Sequence, residues 1–474
     1  MALPTDAVPA DPGRALIGDL PAVAAAEQRL LTGWGRTAPT LARVVAPASA
    51  EELEGVLAAA GPRGAVGRGL GRSYGDAAQN AGGVAVSTGA LDRVRGLDLD
   101  HDLVTVGAGV SLAELTRLLV PYGRFPVVVP GTAQVTVGGA IATDIHGKGH
   151  HRDGAFAAHV ESLELVTPTG ERLRAGPAEN RDVLAATAGG MGLTGVIAEA
   201  TLRLLRIETS RMSADTERAA DLDELMALME EGDARYRYSV AWIDCLARGG
   251  RLGRSILIRG DHAGLDQLPP ADRRDPLSPP PSRAIPTPPW APPGLLRPSL
   301  IRAFNELWFR RAPQAERGRI QSLREFFHPL DGVAGWNRLY GPRGLLQYQL
   351  AVPFGEEQAL RSVLERLTAA DVPSFLAVLK RFGPEAGPLS FPISGWTLAL
   401  DLPGGSAALA TFLDGLDELV AGAGGRLYLA KDSRMRPELL PVMYPRLDEW
   451  RAVRERLDPD RRMRSDLGRR LKLV

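Results

Sequence analysis

The 474-residue sequence predicts an α+β protein of more than one domain, and three observations carry that prediction. At ~100–200 residues per domain, the length sets two to four units. Residues 40–206 alternate short β-type runs with amphipathic helices, and residues 345–424 return to that alternation. Between them the character changes near 210, and 12 of the 37 prolines fall in residues 269–298.

Taken in order, Ser49–Ala60 reads as a helix with Ser49 as N-cap and glutamates in its first turn. Ala65-Val66, Val84–Ser87, Leu103–Val106 and Leu163–Thr167 read as strands bounded by glycines or turn residues. Ser111–Leu119 reads as a second helix, with Glu114 completing a capping box. Farther on, Leu222–Met229 has a helical pattern, while Arg235–Asp244 alternates as a strand does. The proline cluster excludes packed helix or strand and implies an extended loop, either an insertion or a lid over a binding site. Strands are expected near Leu346–Val352, Ser374–Val378 and Thr397–Leu402, and the Arg-rich residues 446–474 are helical in pattern.

Composition removes several function classes. Lys+Arg and Asp+Glu are both 56, so the chain lacks the basic excess of a nucleic-acid binder. Cys245 is the single cysteine, which excludes an internal disulfide and a cysteine zinc cluster. The first 20 residues lack the basic start and apolar run of a signal peptide. Phe125–Thr143 is uncharged but contains Pro126, Pro130, Gly131, Gln134, Gly138 and Gly139, a poor membrane span. The expected placement is cytoplasmic or peripheral to a membrane.

Two glycine clusters compete as nucleotide sites. Gly190, Gly192 and Gly195 spell G-x-G-x-x-G, but VIAEATLRLL after them alternates as a strand, whereas a dinucleotide turn needs a helix there. The second cluster is VGRGLGRSYGDAAQNAGG. Its glycines would gather backbone N–H groups into an anion-binding concavity, with Arg68, Arg72, Ser73 and Tyr74 as further donors. A plain glycine-rich turn is the competing reading. About 60 residues on comes VVVPGTAQVTVGGAIATDIHGKGHH, where Pro130-Gly131-Thr132 turns and Val137–Ala140 offers another close-approach surface. Four of the seven histidines (His146, His150, His151, His159) lie nearby, but glycines between His146 and His150 spoil a helical ligand pair, so no metal is expected.

Together these two segments resemble the FAD-binding domain of the vanillyl-alcohol-oxidase-type flavoproteins. GGMGLTGVI, YSVAWID, FFHPLDGVAGWNRLYGPRGLLQYQ, FGPEAGPLSFPISGW, GGRLYLAKDSR and MYPRLDEW extend the resemblance, from about residue 30 to the C-terminus, toward the branch acting on polyprenylphosphoryl pentoses. The fold so implied has an FAD-binding domain from residues 1–209 and 426–474. Residues 210–425 would form a substrate domain with an antiparallel sheet and a flexible loop at 264–300.

The implied FAD contacts are Gly67, Arg68, Gly69, Leu70, Gly71, Arg72, Ser73, Tyr74, Gly75, Asp76 and Ala77. Further contacts are implied at Gly131, Thr136, Val137, Gly138, Gly139, Thr143, Asp144, Ile145, His146, Ile197 and Tyr428. Some relatives bind FAD covalently through a histidine in the loop around Arg72–Tyr74; Tyr74 occupies that region here, so non-covalent FAD is expected.

The implied reaction is oxidation of the ribose C2 hydroxyl of decaprenylphosphoryl-β-D-ribose, or a similar lipid-linked pentose, to the 2-keto sugar. That is the first step of epimerisation to the arabinose donor of cell-wall arabinan, with an NAD(P)-dependent keto-reductase as partner. The electron acceptor would be a quinone or oxygen, with peripheral membrane contact and no nucleic acid, and the resemblance adds a periplasmic placement to the cytoplasmic or peripheral one. Hydride removal needs a proton acceptor for the hydroxyl and a cation or donor near the flavin. Lys431 is the first candidate, although an unperturbed lysine, with pKa ~10.4, is a poor base at neutral pH. His146 and Tyr74 follow, and Lys380, Gln347, Gln349, Trp242, Tyr340 and Thr397 are the substrate-side candidates. Ala399 stands where nitroaromatic-sensitive members carry cysteine, and Thr397 where they carry asparagine. An oxidase of free alditols or aldonolactones, and a non-catalytic binding protein of the same pathway, are the alternatives.

Overall fold

Period-two alternation and well-capped helices build three large sheets and one two-stranded sheet among the described residues of this computed structural model, which describes residues 26–279, 284–287 and 297–474. The first sheet runs in the order Glu27–Leu31, Thr40–Val45, Val84–Ser87, Ala65–Arg68, its last three strands parallel. Ala50–Ala58 covers it, its N-cap Ser49 accepting from the Glu52 N–H. The second sheet runs Val94–Asp98, Leu103–Gly107, Val196–Arg206, Val160–Val166, Arg172–Ala175, and Arg124–Pro126 pairs the far end of Val196–Arg206. That 11-residue strand directly after Gly195 excludes a dinucleotide turn there. The Ser111–Glu114 capping box forms at the start of helix Leu112–Leu119.

The third sheet has eight antiparallel strands. Their order is Ala315–Ser322, Arg211–Ala219, Ser255–His262, Tyr238–Ile243, Ala377–Phe382, Gly395–Pro403, Leu345–Pro353, Arg426–Leu427. Helices Leu222–Gly232, Glu357–Ala369 and Ala407–Gly422 bury their apolar stripes against one face, through Leu225, Leu364 and Leu416 among others. The same face takes Ala241, Leu257, Leu350, Leu379, Leu398 and Leu400. Because side chains alternate across a strand, the intervening residues point to the other face. There Trp242, Ile256, Gln347, Gln349, Lys380 and Ala399 line a cavity.

Several expectations are corrected. The strand expected at Ser374–Val378 is Ala377–Phe382, because the Ser374 hydroxyl donates to the Leu376 carbonyl (2.8 Å) and holds the preceding residues in a turn. Val137–Ala142 is a short helix, not only a close-approach turn, since the Thr136 side chain accepts from the Gly139 N–H. The proline-rich segment is not loop throughout. Pro298 starts the 14-residue helix Pro298–Arg311, for which proline at the first helical position is well suited. Ile285–Pro286 pairs with Val333–Ala334, and the Ser210 N–H donates to the Pro276 carbonyl. Residues 280–283 and 288–296 of that segment lie outside the described residues.

The C-terminal segment reaches back to the first sheet. The Ala65 N–H donates to Arg462, and Trp450 donates its indole N–H to the Ala186 carbonyl (3.0 Å). No helix among the described residues is long and apolar enough to cross a membrane.

Candidate active site

The loop Gly67–Ala77, the Thr136–Thr143 segment and the free face of the third sheet enclose a cavity of about 840 Å³. Gly67, Arg68, Gly69, Leu70, Gly71, Arg72, Ser73, Tyr74 and Ala77 line it, with Gly131, Thr136, Gly138, Gly139, Thr143, Ile145, His146, Ile197 and Tyr428. Trp242, Gln347, Gln349, Lys380 and Lys431 complete the sequence-derived set that the fold brings together.

Six candidates stand behind this wall. A Cβ on Gly75 would lie 1.9 Å from the Asp432 carbonyl oxygen, so Gly75 packs against the loop carrying Lys431. Asp76 is held by Arg470 through two hydrogen bonds, 2.8 and 3.0 Å. Val137 is fully buried in the core under the second sheet. Asp144 is buried and accepts from the Ala157 N–H (3.0 Å). Tyr340 packs behind Tyr74 with Leu345. The Thr397 hydroxyl donates to the Leu350 carbonyl (2.8 Å) and accepts from Gln349, so it positions Gln349.

The glycine loop fits a dinucleotide cofactor. A Cβ on Gly69 would meet the Thr136 hydroxyl at 2.2 Å, so only glycine lets these two walls close to that distance. Arg72 Nε is buried without a hydrogen-bond partner in the cavity wall, a donor free for an anion, while its guanidinium lies 4.0 Å from the Trp34 ring centroid. Arg68 is a correction to the donor set. Its guanidinium bonds the Thr32 and Ala78 carbonyls, and so it shapes the loop. Met191, Gly192 and Gly195 line the same cavity, which gives the G-x-G-x-x-G segment a place beside the cradle.

At the junction of cradle and sheet, Lys431 Nζ sits 4.1 Å from the Tyr74 ring centroid. The Gln347 side-chain amide donates to Tyr74 Oη (3.2 Å) and to Asp401 Oδ1 (2.5 Å). Burial lowers Lys431 to about 8, although Asp401 opposes that shift. Burial also raises the Asp401 carboxyl to about 7 and pushes the Tyr74 phenol well above its ordinary value. Tyr74 is therefore a proton donor in hydrogen bonds and not a base.

His146 has both ring nitrogens engaged, Nδ1 with Lys380 Nζ (3.1 Å) and Nε2 with the Gln349 amide (3.0 Å). Burial, with Lys380 next, holds its pKa well below the ordinary value. The other histidines of this region serve structure. His150 Nδ1 accepts from the Gly383 N–H, while His151 and His159 bond the Tyr236 and Asp153 carbonyls.

Lys148, Asp401, Trp34 and the Phe304/Trp308 pair were not among the residues singled out from the sequence. Lys148 lies within the quoted HGKGHH run. Asp401 had a legible signal, an acidic residue inside the apolar strand LALDLP. Trp34 and helix Pro298–Arg311 offered none.

Comparison with known proteins gives consistent matches. A family model for an FAD binding domain matches residues 41–176, and one for D-arabinono-1,4-lactone oxidase matches residues 402–471. The chain is 44% identical to the decaprenylphosphoryl-beta-D-ribose oxidase of Mycolicibacterium smegmatis, over 94% of this chain and 97% of that one. It is 26% identical to the L-gulono-1,4-lactone dehydrogenase of Mycobacterium tuberculosis over 90% of this chain and 95% of the other. A third relative, the alditol oxidase of a Streptomyces species, is 35% identical but matches 37% of this chain and 41% of its own length.

Proposed function

The chain belongs to the decaprenylphosphoryl-β-D-ribose oxidase family of FAD-dependent oxidoreductases, and from that premise we propose that it oxidises the C2 hydroxyl of a polyprenylphosphoryl ribose to the 2-keto sugar. The observation carrying this reading is the position of Lys431, buried in the cavity wall where the cofactor cradle meets the polar face of the third sheet. FAD, when bound, supplies the hydride acceptor.

The side chains do the rest. Lys431 in its neutral form takes the hydroxyl proton; at a pKa near 8 a useful fraction is neutral at physiological pH. Tyr74 keeps its proton and donates to a sugar oxygen, held in place by Gln347. His146 has no ring nitrogen to spare, so it orients Lys380 and Gln349 rather than accepting the proton. Trp242 and the apolar wall exclude water from this end of the cavity.

The 2-keto product calls for a keto-reductase partner, and each turnover calls for an electron acceptor, quinone or oxygen. Peripheral membrane contact fits a lipid-linked substrate. Helix Pro298–Arg311 exposes Leu300, Leu307 and Trp308, and Phe304 and Trp308 line the cavity as well.

Under anaerobic conditions, a polyprenylphosphoryl ribose is expected to bleach the visible flavin band, and a free pentose or alditol to leave it intact. Bleaching by xylitol or a gulonolactone alone would instead favour a soluble-polyol oxidase. Because Tyr74 and not histidine occupies the glycine loop, the flavin is held non-covalently. Acid denaturation should therefore release all of it, and yellow colour retained by the precipitate would refute that.

A further inference from the structure

Of the 56 Lys and Arg residues, only four are lysines: Lys148, Lys380, Lys431 and Lys472. Three of these four line the one cavity. Elsewhere the chain builds its positive charge almost wholly from arginine, so lysine has been placed where a deprotonatable, compact cation is wanted.

Lys431 has Asp401 near enough to interact. Lys148 and Lys380 have no carboxylate within ion-pair distance among the described residues. Lys148 Nζ donates to the Phe326 carbonyl and lies 4.4 Å from that ring's centroid, and Lys380 Nζ bonds His146 Nδ1. Each ammonium carries three donors, so each retains donors beyond these bonds. The carboxylates that line the cavity, Glu316 and Glu325, sit with Arg319 at 3.7 and 3.4 Å. Asp331, which faces His328, is taken by the Thr132 hydroxyl and the Ala133 N–H. Two buried cations with nothing negative beside them are costly, and a bound anion removes that cost.

We propose that Lys148 and Lys380 form the seat of the substrate's phosphodiester, a two-ammonium site that makes a phosphorylated lipid the required ligand. This rests on the reading of the cavity given above and deepens it. The wall is ordered to match such a molecule. Lys380 lies on the same strand face as Val378, Phe375 follows, and the Phe375 ring stands 5.1 Å from Phe304 on the exposed helix. A cation next to the sugar end and apolar side chains leading outward suit a sugar–phosphate–prenyl sequence.

Protonation adds a signature. Burial brings Lys148 and Lys380 to about 7, with Lys148 and Lys431 also acting on Lys380. The groups facing them are His146, His150 and His328, all held below the ordinary histidine value, and Lys431. Near neutral pH the pair is incompletely protonated, and a bound phosphate would draw in protons.

The test is calorimetric titration of the flavin-loaded protein with farnesyl phosphate and with farnesol, in two buffers of different ionisation enthalpy. Farnesyl phosphate should bind at least ~30-fold tighter than farnesol and take up protons, as expected for two charge-assisted hydrogen bonds. Lys148→Met and Lys380→Met should each weaken it about tenfold or more, leaving farnesol unchanged. Lys148→Arg and Lys380→Arg should keep part of the affinity but reduce the proton uptake, since arginine is already charged.

Equal binding of the two ligands, or unchanged phosphate affinity in the double Met variant with full flavin content, would overturn the proposal. Farnesyl phosphate has no sugar, so the outcome is separable from the oxidase reading. Tight, lysine-dependent binding without bleaching by the lipid-linked ribose would fault the substrate reading alone. Bleaching with lysine-independent binding would fault the anion seat alone.

Discussion

Lys431→Met is expected to lower kcat by about 10²–10⁴-fold while flavin content stays at the wild-type level. The methionine preserves the unbranched stem between Tyr74 and the sheet but removes the amine that stands over the Tyr74 ring at the junction of cradle and substrate wall. The pH profile identifies its role. If the neutral amine accepts the proton, wild-type kcat rises with pH and levels off above about 8, where burial has brought the lysine. A rate that falls through that range would make Lys431 an electrostatic cation instead. Lys431→Arg is not expected to rescue turnover, because a guanidinium stays charged and cannot take a proton.

Arg470→Ala is expected to destabilise the fold by about 3 kcal/mol and to speed flavin loss. Arg470 grips Asp76 in the glycine loop through two bonds, and its Nη1 donates to Asp432 Oδ2 (2.8 Å), next to Lys431. Truncation leaves Asp432, whose side chain is 3% exposed, without its counter-ion. It also unclips the cofactor loop from the C-terminal segment. A urea midpoint unchanged from wild type would refute this. Arg470→Lys should recover only part of the loss, since one ammonium cannot span both carboxylates as the planar fork does.

Much of the architecture was legible because local chemistry agreed with the fold. Ser49 and Ser111 cap the helices they announce, and Val196–Arg206 alternates along its whole length as a strand. The strand at Ala377–Phe382 was displaced because Ser374 bonds locally, which periodicity does not register. Helix Pro298–Arg311 was hidden by its own proline-rich approach, for composition averaged over that stretch outweighs a helix beginning at its last proline.

Of the candidate site, the glycine loop was legible for a steric reason that survives in the structure, since Gly69 must approach Thr136 closely. Asp76 and Asp144 were drawn into the expected set by adjacency in sequence and Tyr340 as a pocket-lining candidate, but their side chains turn away into an ion pair or core. A motif assigns a segment to a site, whereas burial and hydrogen-bond demand assign each side chain within it.

The sequence alone determined the α+β elements, because hydrophobic periodicity and helix capping are local properties written in consecutive residues, while its ordered motifs determined the FAD cradle and the family through resemblance. Tertiary structure decided which face of the eight-stranded sheet is chemical. Three helices took one parity of each strand for the core, and the other parity was left to the cavity, with Gln347, Gln349, Lys380 and Ala399. Only that packing brings Lys148, Lys380 and Lys431, far apart in the chain, into one buried space where the other two lower the pKa of Lys380.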